Sequence, residues 1–194
     1  MASLVGFTTP HQQAWYLYYT PYFILLNALL LLVYQKEWSK SVLYFGASAI
    51  LIGFTVEALT VQTASLYGTY IFGKTLGISF LGVPLVMPIY WFVNALSTAS
   101  LASKLPLKNS WVRCTFGAVL MVLLTAVIHQ VAPKLDFWSM SSNNSLIRLS
   151  LVWFLVGFAL QYLFIRLNTS SKNPMAVYVY GGLLIFFVGV FSFL

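Results

Sequence analysis

The sequence predicts an all-α fold, a polytopic membrane bundle of about six transmembrane helices. Three observations carry that expectation. Sixty per cent of the 194 residues are hydrophobic and only 7% are charged, whereas a water-facing domain carries roughly 25% charged residues. The mean hydropathy is +0.88. Six apolar runs approach the ~20 residues that a helix needs to cross a bilayer. They fall at about 16–34, 42–63, 78–103, 111–132, 146–167 and 175–194.

The first run follows "MASLVGFTTPHQQAWYLYY", which lacks the basic flank and small-residue cleavage site of a secretory signal, so it reads as a retained membrane helix. "QKEWSK" ends it. The second run contains Glu57 and gives way to a loop rich in Tyr, Gly and Thr. The third carries Pro84 and Pro88 early and stops at "KLPLKNS". The fourth ends in "TAVIHQVAPKLDFW", the fifth is closed by "NTSSKNP", and the sixth is apolar throughout. Connections this short leave no room for a separate soluble domain. Residues 1–194 therefore read as one transmembrane helical domain, without an internal repeat.

Six crossings put both termini on one side of the membrane. The connections opposite them carry Lys36, Lys40, Lys104, Lys108, Arg113, Arg166 and Lys172, and the termini side carries Lys74, Lys134 and Arg148. Cytoplasmic loops concentrate Lys and Arg, so both termini are expected to face away from the cytoplasm. The patterned loops 64–77 and 133–145 are expected on that same side. This topology accounts for the net charge of +7 and removes nucleic acid as a partner. The single cysteine, Cys114, excludes an internal disulfide framework and an all-cysteine metal site.

The candidate site is built from the few ionisable groups inside the apolar runs. An acid in a span costs at least ~2.5 kcal/mol on insertion scales and usually faces a bundle interior or a wet cavity. Glu57 either hydrogen-bonds a neighbouring helix or supplies a proton, since burial disfavours the charged form of a carboxyl. His129 lies at a similar depth in the fourth run and is either an interfacial side chain or a partner that shares a proton or holds a water with Glu57. Thr60 and Thr125 lie three and four residues from Glu57 and His129, on the same helix faces. Asp136 caps a turn, pairs with Lys134 or lines a cavity mouth. Tyr67, Tyr70, Trp91, Trp138 and Trp153 are either interfacial belt residues or walls for a flat conjugated ligand that stabilise a cation through their π faces.

Several chemistries lack their residues. The last run has no lysine for a retinal Schiff base. Three acids, no two close in sequence, do not make a magnesium–diphosphate cluster. His11 and His129 are too far apart to suggest a haem or di-iron site, and no phosphate, NAD or flavin motif is present. The expectation is no metal and no cofactor: acid–base chemistry, or binding alone.

One stretch is more specific. Glu57 is followed by "YGTYIFG" from Tyr67 to Gly73, "LG" at Leu76 and Gly77, and "GVPL" from Gly82 to Leu85, with "VAPKLDFW" from Val131 to Trp138 as a second patch. This pattern resembles the integral-membrane carotenoid biosynthesis proteins, which include the bacterioruberin-type and lycopene-type carotenoid hydratases. The chain departs from that pattern late in the fourth run, where Thr125 and His129 stand in place of acids. It departs again early in the fifth, where Leu146 and Leu149 replace polar positions. The resemblance implies a lipophilic linear carotenoid as substrate, the bilayer as surroundings and a bacterial or archaeal inner membrane as location. Homo-oligomerisation and membership of a larger membrane complex both stay open. In the implied chemistry Glu57 protonates a terminal C=C bond, aromatic faces stabilise the cation, and a water held by His129 or Asp136 captures it as an alcohol. A dry site would close a ring instead, and a non-catalytic chain would bind the pigment as a subunit of a membrane complex.

Overall fold

The computed structural model describes residues 17–140 and 145–193; His11 lies outside them. Among the described residues six helices follow one another: α1 (Thr20–Val33), α2 (Lys40–Thr63), α3 (Val86–Lys104), α4 (Ser110–Val131), α5 (Ser145–Arg166) and α6 (Met175–Phe193). Between α2 and α3 lie three short strands, β1 (Tyr70–Phe72), β2 (Ser79–Phe80) and β3 (Val83–Pro84). A fourth, β4 (Trp138–Met140), follows α4.

The bundle is organised around α3. Fifteen of its 19 residues are buried, and the other five helices all pack against it. Its Asn94, Ser97, Thr98 and Ser100 are thereby shielded from lipid, which explains why a helix with so many polar groups sits in such an apolar chain. Four helices, α2, α4, α5 and α6, are long and apolar enough to cross a membrane, and the chain is a membrane protein of the all-α class. This refines the expected six spans. α3 is enclosed by its neighbours, and α1, with 14 residues, is only about 21 Å long against a hydrocarbon core of about 30 Å.

The third helix also begins later than its apolar run suggests, at Val86 and not near residue 78. Leu81 and Gly82 both adopt positive φ, 51° and 76°, the geometry of a two-residue hairpin turn. They fold 78–85 back as the β2–β3 hairpin, with Ser79 opposite Pro84. Glycine is required at 82, because a Cβ there would sit 2.8 Å from Val61 Cγ1 on α2.

Helices α4 and α5 share the most extensive helix–helix contact. Small residues make that approach possible: Gly157 faces Ala118 and Met121, and Gln161 lies over Gly117, where any Cβ would collide with the amide. Close approach through small residues is the usual way membrane helices gain packing energy without a hydrophobic driving force.

Each end of the bundle is fastened by a clasp. At one end β1 and β4 pair antiparallel, Tyr70 with Met140 and Phe72 with Trp138, so the loops after α2 and α4 meet as their shared side predicts. Asp136 locks this contact. Its Oδ2 accepts from the backbone N–H of Lys74 at 2.8 Å and of Thr75 at 3.3 Å, and Gly73 N–H donates to the Phe137 carbonyl at 2.9 Å. The exposed carboxylate thus holds one loop to the other from a left-handed backbone conformation, φ 52°, that Asp tolerates better than most residues. At the opposite end Lys172 pairs with Glu37 at 2.6 Å, and Asn173 donates to the Leu31 carbonyl at 2.7 Å and to Gln35 Oε1 at 3.0 Å. Hydrogen bonds from Lys172 and Ser170 hold Glu37 below the usual carboxylate range.

Hydrogen bonds to a charged group contribute about 1.5–3 kcal/mol, less where water competes. Asp136→Ala is therefore expected to destabilise the detergent-solubilised protein by about 1–2 kcal/mol, seen as a lower midpoint in chemical denaturation. Asp136→Asn, which keeps an acceptor and tolerates positive φ, should lose less.

Candidate functional site

The site begins with the face of α2 that carries Gly53, Glu57 and Thr60, residues three and four positions apart that all point inward. Gly53 provides the seat. A Cβ there would come within 2.5–2.8 Å of Trp91 atoms, so only glycine lets the indole of α3 lie flat against α2. One turn later, Trp91 Nε1 donates to Glu57 Oε1 at 2.9 Å. Glu57 is 0% exposed, and its second oxygen, Oε2, has no hydrogen-bond partner among the described residues. Nor does any Lys, Arg or His there pair with it. A buried carboxyl with one bonded oxygen and no counter-charge is costly unless it stays neutral or serves a ligand.

Aromatic rings enclose it. Trp91 stacks on Trp153 of α5 with ring centres 3.6 Å apart and planes at 13°, and Tyr90 meets Trp153 at 5.8 Å. Tyr67 packs edge-on to Tyr70 at 5.4 Å. Both tyrosines belong to the loop after α2. Burial pushes both phenols well above their ordinary value. Tyr90 also lies within electrostatic reach of Glu57. The fold therefore gathers Glu57, Tyr67, Tyr70, Trp91 and Trp153 from two helices, a loop and a third helix into one cluster.

The remaining candidates sit differently. His129 Nδ1 accepts from Trp138 Nε1 at 3.1 Å, so among the described residues the histidine is tied to the β4 strand, and Glu57 to Trp91. Among the described residues no direct hydrogen bond joins Glu57 to His129, the pair that the sequence offered beside an interfacial histidine. Trp138 lies 6.5 Å from Tyr70, and His129 therefore supports the loop that closes the aromatic cluster. Asp136 belongs to the clasp described above. Thr60 turns its hydroxyl to the Val56 carbonyl of its own helix at 2.8 Å. Thr125 reaches the hydroxyl of Tyr90, 3.4 Å away.

Tyr90 and Asn94 are the residues that reading the chain overlooked. Asn94 Nδ2 donates to Tyr90 Oη at 3.5 Å and to the Met121 carbonyl at 3.4 Å. Thr98 donates to the Asn94 carbonyl at 2.8 Å and accepts from Gln161 at 2.9 Å. The signal was available: "YWFVNALST" places Tyr90, Asn94 and Thr98 four residues apart in an otherwise apolar run.

Three cavities among the described residues lie near the cluster, and Glu57 lines none of these three. Two, of about 480 and 560 Å³, lie at the loop end and share Lys74 and Gly77; Tyr70 lines the first and Asp136 the second. The third is a narrow crevice among α1, α3, α4, α6 and the Phe137–Trp138 loop, walled by Phe23, Ile24, Met87, Tyr90, Leu183 and Phe187 among others. Apolar apart from Thr20 and the polar tips of Tyr90 and Trp138, it suits hydrocarbon.

The Gly53 seat has a spectroscopic consequence. Gly53→Ala is expected to push Trp91 off α2, break its stack on Trp153 and cost about 1–3 kcal/mol through overpacking. Near-ultraviolet circular dichroism would read this as loss of the strong coupling between the stacked indoles, and a Trp153→Phe protein would show the same spectral loss without the clash.

The comparisons with known proteins bear on this cluster. A family profile described as "Carotenoid biosynthesis protein" matches residues 19–145, about two thirds of the chain, and no curated protein or solved structure matches it. The matched segment holds Glu57, Tyr67, Tyr70, Tyr90, Trp91, Asn94, Thr125, His129, Asp136 and Trp138. Trp153 and Gln161 lie beyond it. The chain belongs to the carotenoid biosynthesis protein family, and its role lies in carotenoid biosynthesis.

Proposed function

We propose that the protein is a membrane enzyme that protonates a terminal C=C bond of a linear carotenoid and adds water across it, with Glu57 as the general acid. The observation that carries this reading is the state of Glu57: wholly buried, held by one indole N–H, with Oε2 unbonded and no cation beside it among the described residues. A purely structural carboxyl in this position would cost less as an amide or an apolar residue. A neutral carboxylic acid can give its proton to a weak base such as an alkene, and the tertiary cation formed is one that aromatic faces stabilise. Cation–π contacts with Trp91, Trp153 and the tyrosines contribute ~0.5–2 kcal/mol each.

The substrate is as apolar as the bilayer, so it approaches from the lipid and not from water. The crevice between α1 and α6 is the apolar route that ends against Tyr90. Admission of an end group to Glu57 then requires Tyr90 or the Tyr67–Tyr70 loop to move. The distribution of Lys and Arg supports an orientation with the β1–β4 clasp away from the cytoplasm, in the inner membrane of a bacterium or archaeon.

A second reading has its own observation. The walls around Glu57 are mostly aromatic, and a cation formed in dry surroundings would be attacked by its own neighbouring double bond, giving a ring.

Expression in a bacterium that accumulates lycopene, followed by mass spectrometry of the extracted pigments, tests both. Hydration yields a product heavier by one water, and cyclisation an isomer of unchanged mass with a shifted spectrum. Glu57→Gln keeps the shape and a bond to Trp91 and is expected to lower conversion by a factor of about 10²–10⁴, the usual contribution of a general acid. Unaltered lycopene that co-purifies with the wild-type protein would replace the enzymatic reading with a binding one.

A further inference from the structure

Once a cation has formed, its fate depends on which oxygen stands near it. His129 is hydrogen-bonded to Trp138 and Asp136 to the facing loop, and a further polar group lies deeper in the bundle. Tyr90, Asn94 and Thr98 share a face of α3 at four-residue spacing, and the chain continues to Thr125 on α4 and Gln161 on α5. Within it Asn94 is under-used. A primary amide can donate two hydrogen bonds and accept two. Asn94 makes two donor contacts, at 3.4 and 3.5 Å, both at the long limit of hydrogen bonding. Its Oδ1 has no partner among the described residues, although the residue is 1% exposed. Ser97, one turn further on the same helix, is also 1% exposed and its hydroxyl is likewise without a partner. Buried polar atoms are rarely left this way, and those that are belong with a water or a ligand.

Tyr90 connects this amide to both other parts of the site. Its ring lines the apolar crevice and packs on Trp153, while its hydroxyl meets Thr125 and Asn94. We propose that Asn94 Oδ1 and the Tyr90 hydroxyl hold the water that captures the carotenoid cation, making the polar chain of α3 the feature that selects an alcohol over a ring. This rests on the proton-donor reading of Glu57.

The step balances without an oxidant or reductant. The Glu57 O–H bond breaks as the π electron pair of the terminal alkene forms a new C–H bond, leaving the adjacent tertiary carbon positive. A lone pair of the held water forms the C–O bond. The surplus proton on that oxygen returns to the Glu57 carboxylate and restores the acid. The sum is one water added per alkene.

The test separates proton donation from water capture. Membranes containing the protein are incubated with lycopene in D₂O, and both the alcohol and the deuterium entering recovered lycopene are measured. Reversible protonation leaves deuterium in the substrate whether or not water is captured. Asn94→Leu, close in shape but without the amide, is expected to lower alcohol formation about a hundredfold, as loss of a positioned reactant does, while deuterium exchange continues. Alcohol at the wild-type level in Asn94→Leu overturns the inference and leaves Glu57 as the acid. If Asn94→Leu does not accumulate as folded protein, Tyr90→Phe, which deletes one oxygen, is expected to show the same split. Equal loss of exchange and alcohol in a folded Tyr90→Phe protein overturns the assignment. A wild-type protein that gives neither alcohol nor exchange, beside an equally silent Glu57→Gln, removes the proton-donor reading, and the inference falls with it.

Discussion

The hydrogen bond from the Trp91 indole to Glu57 is the interaction on which the core geometry turns. It joins α2 to α3 at the level where Trp91 also stacks on Trp153 of α5, so one indole fixes three helices. The bond exists because Gly53 removes the side chain that would otherwise hold the ring away from α2. It is also what makes a buried carboxyl tolerable, since a polar group taken from water into an apolar interior must recover a hydrogen bond or be penalised by several kcal/mol. Only one of the two carboxyl oxygens is compensated. The structure thus leaves a specific unmet need at Glu57 Oε2, and it does so inside a ring of aromatic faces.

The loops complete what the helices begin. Tyr67 and Tyr70 reach the cluster only because the connection after α2 is drawn inward and pinned by β4, and the pins are Asp136, Gly73 and the His129–Trp138 bond. Residues that look chemical in the sequence, an aspartate and a histidine near a membrane face, act here as fasteners of the wall around the acid. Such a role still bears on function. The clasp holds the aromatic loop beside Glu57.

The polar chain on α3 changes how the interior is understood. From composition alone the third helix is another apolar run with two prolines at its start. In the bundle it is the axis, and its Asn94, Ser97, Thr98 and Ser100 are carried to the centre because five other helices cover them. Gln161 reaches the same place from α5 by lying over Gly117. Polar groups inside a membrane bundle are expensive and tend to mark function. Asn94, Thr98 and Gln161 are hydrogen-bonded in continuity with Tyr90, which in turn borders the crevice and packs on Trp153.

What the sequence by itself determined is the class, the order and the nature of the elements. Hydropathy specifies helices wherever lipid or core must be faced, because no other backbone arrangement but a closed barrel satisfies its own hydrogen bonds there. The motif from Glu57 to Leu85 carried the family, and the lone acid in an apolar run identified the centre of the site. The tertiary structure alone decided the partners. Among the described residues Glu57 is hydrogen-bonded to Trp91, Asp136 holds the backbone of the facing loop, and Tyr90 and Asn94 lie beside the aromatic cluster. The physical reason is that periodicity records which face of a helix is buried, whereas the hydrogen bond a buried group makes depends on which neighbouring helix approaches that face and how closely. Those approaches are governed by single glycines, at 53, 73, 117 and 157, whose effect on contacts tens of residues away has no local signature in the chain.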